Sequence, residues 1–380
     1  MSRSKTTTML AGLFAAVALT ACGGGGGGGG GSSGGGDGVN PPPPAPPPAG
    51  GPAVAADCSA FASGRYRLVN PYALTPAARV TVLDIDTTAS TARDQNGNSV
   101  PYTADGGCQY TIDEGDYLDK MMVSRGGALV LHAQAKQAGT APQRFIAFGV
   151  PEQTRTAADW AGRWNVAIWR PVVGTTVGYV AESGEMTFDG AGQATASQVC
   201  SGLASCGASS LLPRMVASSS GGFDVSDNGT AAGRAFLYKA ASGDASFVWM
   251  GADGRLVTGT TRQALGALPA LGSVTNTREF TLAGNGTIST LASDSTTVTA
   301  IDSGANRFTR QRASDGRSET LRQDQPREGL RYRAPDGCSG PGSPCPEAVQ
   351  LPLVPLGIDL SLGTATTPAS SFLGVTVIRP

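Results

Sequence analysis

Histidine is nearly missing from this chain: His132 is the one imidazole in 380 residues. Metal sites built on two or more imidazoles are therefore excluded, and imidazole catalysis has a single candidate. Charged residues make up 15% of the chain, against about 25% in ordinary globular proteins, and 28 Lys+Arg offset 29 Asp+Glu. That balance leaves no electrostatic footprint for nucleic acid, and it does not fit a charge-rich disordered chain. Aromatics are scarce, at 6%. The longest apolar run near the start, Met9 to Leu19, has eleven residues, too few for the roughly 20 that a membrane-spanning helix needs.

What the chain does have begins with an address. Arg3 and Lys5 precede the apolar run, the pattern of a secretory signal over residues 1–21. Directly after it, Leu19-Thr20-Ala21-Cys22 resembles the lipobox of bacterial lipoproteins. The resemblance implies a thioether-linked diacylglycerol on Cys22, often with a third chain, of palmitate type, on the new N-terminus. Two or more chains suffice for stable anchoring. Gly23 in place of Asp implies, by the same resemblance, the outer membrane, on either its periplasmic or its surface face. An ordinary secretory signal cut after Ala21 is the other reading of these residues.

Residues 22–57 then read as an anchor and tether. Nine consecutive glycines (Gly23 to Gly31) are followed by Pro41 to Pro44 and Pro46 to Pro48, and nothing in that composition can build a core. A flexible coil of this length spans on the order of 33 Å. A glycine run behind a lipidated cysteine resembles the anchors of surface lipoproteins of the transferrin-binding-protein class; a plain periplasmic spacer fits as well.

Cysteine parity fits an oxidising compartment. Removing Cys22 from seven leaves six: Cys58, Cys108, Cys200, Cys206, Cys338 and Cys345, which favours disulfides. Two pairs lie close in sequence, so the simplest assignment is 200–206, 338–345 and, by elimination, 58–108. The spacings do not suit zinc. No cofactor or metal is expected.

The body is expected to be mainly β, an antiparallel meander forming a barrel or sandwich, with two related modules at 58–155 and 156–380. Turn pairs such as Asn96-Gly97, Asn228-Gly229, Asp253-Gly254 and Asp315-Gly316 punctuate short alternating runs. Among the runs are Arg79 to Asp86, Ala128 to Ala133, Trp164 to Arg170, Ser246 to Met250 and Phe372 to Ile378, the last a candidate closing strand. Gly64-Arg65-Tyr66 and Gly162-Arg163-Trp164 open two β regions 98 residues apart, an internal echo. The second opening resembles the first-strand G-x-W of lipocalin-like barrels.

Candidate sites are sparse. Alternation puts His132 on the face of Val130, where a half-exposed strand residue is the ordinary outcome. Asp84 and Asp86 share a strand face and could act as a carboxylate pair. Asp94, Asn96, Asn98 and Asp105 mimic part of a calcium loop, with glycine misplaced. The four tryptophans suit either a ligand cavity or the core itself. The strongest charge feature is Arg307, Arg310, Arg312, Arg317, Arg322, Arg327, Arg331 and Arg333 against four acids, a local +4. It reads either as an anion-binding face for lipid phosphate or an acidic glycan, or as a hairpin with cross-strand ion pairs. Together these features predict a non-enzymatic envelope lipoprotein that binds a small apolar ligand or a protein, lipid or glycan partner. The alternative is an envelope hydrolase or glycan-processing enzyme using paired carboxylates.

Overall fold

The computed structural model describes residues 58–380 except 74, 115–116, 136–145, 173–177, 202–204, 290, 343 and 364–366. The signal, Cys22 and the tether lie outside the described residues.

Antiparallel strands make up nearly all of the body, in three sheets. The first is a closed eight-stranded barrel: β1 (Gly64–Val69), β2 (Val80–Asp86), β3 (Thr91–Asp94), β4 (Ser99–Gly106), β5 (Gln109–Glu114), β6 (Tyr117–Val123), β7 (Leu129–Ala135) and β8 (Ile146–Pro151). Sequential hairpins build it, and β8 returns to pair with β1.

The second is a nine-stranded curled sheet. Its strands are β9 (Gly162–Pro171), β10 (Tyr179–Phe188), β11 (Ala194–Ser201), β12 (Ser205–Ala208), β13 (Pro213–Ala217), β14 (Phe223–Asp227), β15 (Thr230–Lys239), β16 (Ala245–Gly251) and β17 (Leu256–Thr261). β17 pairs back onto β9. Between β14 and β15 only Asn228 and Gly229 remain, both at positive φ (49° and 79°), the two-residue turn that an Asn-Gly pair favours.

The third sheet comprises β18 (Val274–Ala283), β19 (Ala292–Asp302), β20 (Arg307–Arg312), β21 (Ser318–Gln323), β22 (Arg331–Arg333), β23 (Cys338–Ser339), β24 (Ala348–Leu353), β25 (Ile358–Gly363) and β26 (Phe372–Ile378). Pairing of β20 with β21, and of β26 with both β18 and β25, closes eight of these strands into a ring. Strand pairing thus divides residues 156–380 between two sheets.

The internal echo has a structural counterpart. Gly64 and Gly162 each open a first strand at positive φ (150° and 122°). The aromatic two residues on is buried, and it donates a hydrogen bond to the carbonyl four residues earlier: Tyr66 Oη to Ala62 O at 3.1 Å, Trp164 Nε1 to Trp160 O at 2.7 Å. The arginines between them reach across to the next strand, Arg65 to Asp84 and Arg163 to Glu185.

Period-two alternation sorts the cores. Tyr66, Leu68, Leu83, Ile112 and Leu131 point into the first barrel and fill it. Trp160, Trp164, Phe223, Phe247 and Trp249 fill the curl of the second sheet, and Trp160 is ringed by Trp164, Phe188, Phe223 and Phe247 at 5.0–5.7 Å. The opposite faces meet between the sheets in one larger apolar cluster that includes Val130 and Phe148, Trp169 and Val248, and Phe280 and Leu360. β16 is consequently buried on both faces, which explains its unbroken apolar run. The disulfides join Cys58 to Cys108, Cys200 to Cys206 and Cys338 to Cys345.

Candidate functional site

The third barrel is built the other way round from the first. On β24, Val349, Leu351 and Leu353 face outward into the shared apolar cluster, and so do Ile358, Leu360 and Leu362 on β25 and Leu373, Val375 and Val377 on β26. Alternation then turns their neighbours inward: Gln350, Asp359, Ser361, Gly374 and Thr376. β18 follows suit, with Phe280 and Leu282 outward and Glu279 and Thr281 inward. One end of the lumen is plugged by Val298, Phe308 and Leu321, with Leu268 against them. Beside this plug is a cavity of about 430 Å³ whose walls include Glu279, Arg310, Arg312, Arg317, Glu319, Arg333 and Gln350.

The inward charges are mostly matched. Glu319 accepts from Arg310 Nε at 2.7 Å on one oxygen and from Arg333 Nη1 at 2.7 Å on the other. Arg333 also donates to Pro346 O at 3.0 Å. Arg312 Nε donates to Asp294 Oδ2 at 2.8 Å and its Nη2 lies 3.3 Å from Glu279. Arg331 Nη1 donates to Asp359 Oδ2 at 2.9 Å. Burial alone would push the Glu319 carboxyl up, but the two guanidinium groups outweigh it and hold it down at about 2. Asp294 is likewise buried yet held below the usual carboxylate range by Ser314 and Arg312. Arg310 and Arg312 gain more from these acids than burial takes away, so both stay firmly charged.

The eight arginines therefore do not share one face. Arg310, Arg312, Arg317 and Arg333 line the cavity, and Arg331 pairs with Asp359 outside its lining. Arg307 pairs with Asp302 outside the barrel at 2.8 Å, and Arg322 is exposed. Arg327 leaves the barrel for the second sheet, where its Nη1 lies 2.8 Å from Cys200 Sγ and its Nη2 donates to Gly184 O. Five of the eight pair with acids, four of which (Glu279, Asp294, Asp302 and Asp359) lie outside the 307–333 window.

Other candidates resolve differently. His132 is not half-exposed but fully buried, 6.3 Å from the Phe280 ring, because the Val130 face of β7 packs against the third barrel. Asp84 is paired with Arg65 and Arg93 at 2.8 and 3.5 Å, while Asp86 caps a turn through the Thr88 and Ala89 amides. Asp94 accepts from the Asn96 and Asn98 amides, and Asp105 is held by Lys120, Thr111 and Gln109. Those oxygens serve a hairpin turn rather than a calcium loop. The tryptophans are core residues, three inside the second sheet and Trp169 in the shared cluster, stacked on Tyr179. The cavity of the third barrel carries charged side chains beside apolar ones such as Phe280, Phe372 and Val375, while the larger apolar faces of its strands pack against the other sheets.

No family model matches the chain, and no curated protein does. Among solved structures it is similar to two variant forms of the vaccine antigen Transferrin Binding Protein B from Haemophilus parasuis, with TM-scores of 0.25 and 0.24 and identities of 8% and 9%. In each case 79% of this chain aligns with 65% of the other, so it spans less than two thirds of their length.

Proposed function

We propose that this chain is a non-enzymatic lipoprotein of the bacterial outer membrane, moored through Cys22 and the tether of residues 23–57, whose third barrel takes a small polar ligand into its lumen. One observation carries the binding part: two of the three sheets close over apolar side chains, while the third holds a half-open cavity of about 430 Å³ with charged residues in its walls, within the range of small-molecule sites. Glu319 supports a binding role over hydrolysis. Both its oxygens are taken by arginines and its carboxyl stays ionised, whereas glycoside hydrolysis needs a carboxyl that keeps its proton near neutrality. The lumen acids act as counter-ions.

Thermal unfolding in the presence of glucose, glucuronate or palmitate tests the binding reading. A rise in midpoint with a polar probe and none with palmitate supports it; stabilisation by palmitate alone overturns it. For the anchor, Cys22→Ala is expected to move the protein from the membrane to the soluble fraction, and unchanged fractionation would refute lipidation there.

A further inference from the structure

One guanidinium at the cavity has no counter-ion. Arg317 stands just before β21, at the end of the turn from β20, two residues ahead of Glu319, and lines the cavity. Its Nη1 lies 3.8 Å from the position a Cβ on Gly342 would occupy, so it is flanked by the loop that Cys338–Cys345 closes. Among the described residues Arg317 forms no ion pair, and its Nε is buried without a hydrogen-bond partner. The other arginines on the cavity wall, Arg310, Arg312 and Arg333, are each bound to a carboxylate.

A second polar group faces the same space unmatched. Gln350 on β24 lines the cavity, is 2% exposed, and its Oε1 accepts no hydrogen bond. Buried polar atoms of native proteins nearly always have a partner, from protein, water or ligand. Among the described residues the cavity wall therefore presents Arg317 as a cation without an ion pair and Gln350 Oε1 as an acceptor without a donor. At water's share of liquid volume, about 30 Å³, the space has room for roughly 14 waters, or for one molecule of sugar size.

We propose that the lumen of the third barrel binds a small hydroxylated organic acid, its anionic group on the Arg317 guanidinium and a hydroxyl donated to Gln350 Oε1. This rests on the binding reading above and adds to it the charge and donor pattern of the ligand. The planar fork of arginine suits a carboxylate or a phosphate ester equally, while the paired state of the remaining lumen charges limits the site to one such group.

Calorimetric titration of the intact protein with glucuronate, glucose 6-phosphate and glucose tests it. At least one of the two acids is expected to bind at least 10-fold more tightly than glucose, and the preferred acid identifies the anion as carboxylate or phosphate. Arg317→Gln is expected to weaken acid binding by about 10- to 100-fold, the loss of a charge-assisted pair, with glucose unaffected; Arg317→Lys should recover part of that loss. Glucose binding as tightly as both acids would overturn the proposal while leaving a polar lumen site intact. Absence of binding by all three would overturn both readings. The wild-type comparison of acid with neutral sugar stands even if a variant fails to fold, and circular dichroism of each variant shows whether it has.

Discussion

Glu319→Gln removes one negative charge and almost no volume from the centre of the third barrel, which makes it a sharp probe of the lumen network. In the native chain Arg310 and Arg333 both close on this carboxylate, and the side chains are 13%, 9% and 6% exposed for Arg310, Arg333 and Glu319. Breaking a buried pair by deleting one partner costs about 3–5 kcal/mol, because the remaining charge is left uncompensated. The carboxyl itself gives a second route to the size. A fall from 4.5 to about 2 on folding corresponds to about 3 kcal/mol. Its sign follows from the depressed folded value: the contribution is complete above about 4.5 and is lost as pH falls through about 2. Urea unfolding followed by far-ultraviolet circular dichroism at pH 7 and at pH 2 measures both. The variant should be less stable by about 3 kcal/mol or more at pH 7 and should converge on the native chain near pH 2. Equal stability at pH 7, or a deficit unchanged at pH 2, would refute the reasoning.

Three further perturbations test the rest of the body. Replacing Cys58 and Cys108 by serine opens a loop of sequence separation 50 and should cost about 4 kcal/mol in the chain-entropy model, against about 2 for Cys200–Cys206; paired urea titrations of the two double variants check the order. Trp160→Ala empties the centre of the second sheet's core and should destabilise by about 3–5 kcal/mol, read by the same method. Asp94→Ala removes the acceptor that holds the Asn96 and Asn98 amides and should cost about 1–3 kcal/mol, equally with calcium or with chelator; a calcium-dependent stability of the native chain would reinstate the ion-loop reading.

Strands, turns and bridges were legible because their signals are local. The run Phe372 to Ile378 alternates in the sequence and forms a strand over that same span, and Asn228-Gly229 turns where its dipeptide requires. The contents of the third barrel were not legible, and the reason is topological. Arg312 finds Asp294 from β19 and Glu279 from β18, and Arg331 finds Asp359 from β25; strand pairing sets these partners side by side across gaps in sequence, so counting acids within 307–333 alone missed them. His132 shows the same limit. Its strand and face could be read, but the burial of that face depends on a second barrel docking there, and nothing in the surrounding residues marks it. Alternation likewise shows that one side of β24, β25 and β26 is apolar without saying which side is the lumen. That ambiguity concealed a lumen that holds charged side chains.

The orientation of those strands is the central claim, and cysteine labelling along β25 tests it most directly. Ser361→Cys, pointing into the lumen, should react with a small charged thiol reagent, and faster with an anionic than with a cationic one because the lumen carries Arg317 without a counter-ion. Leu360→Cys, in the apolar cluster between sheets, should stay unreactive in the folded protein. Reaction at position 360 with protection at 361 would invert the barrel and contradict the account.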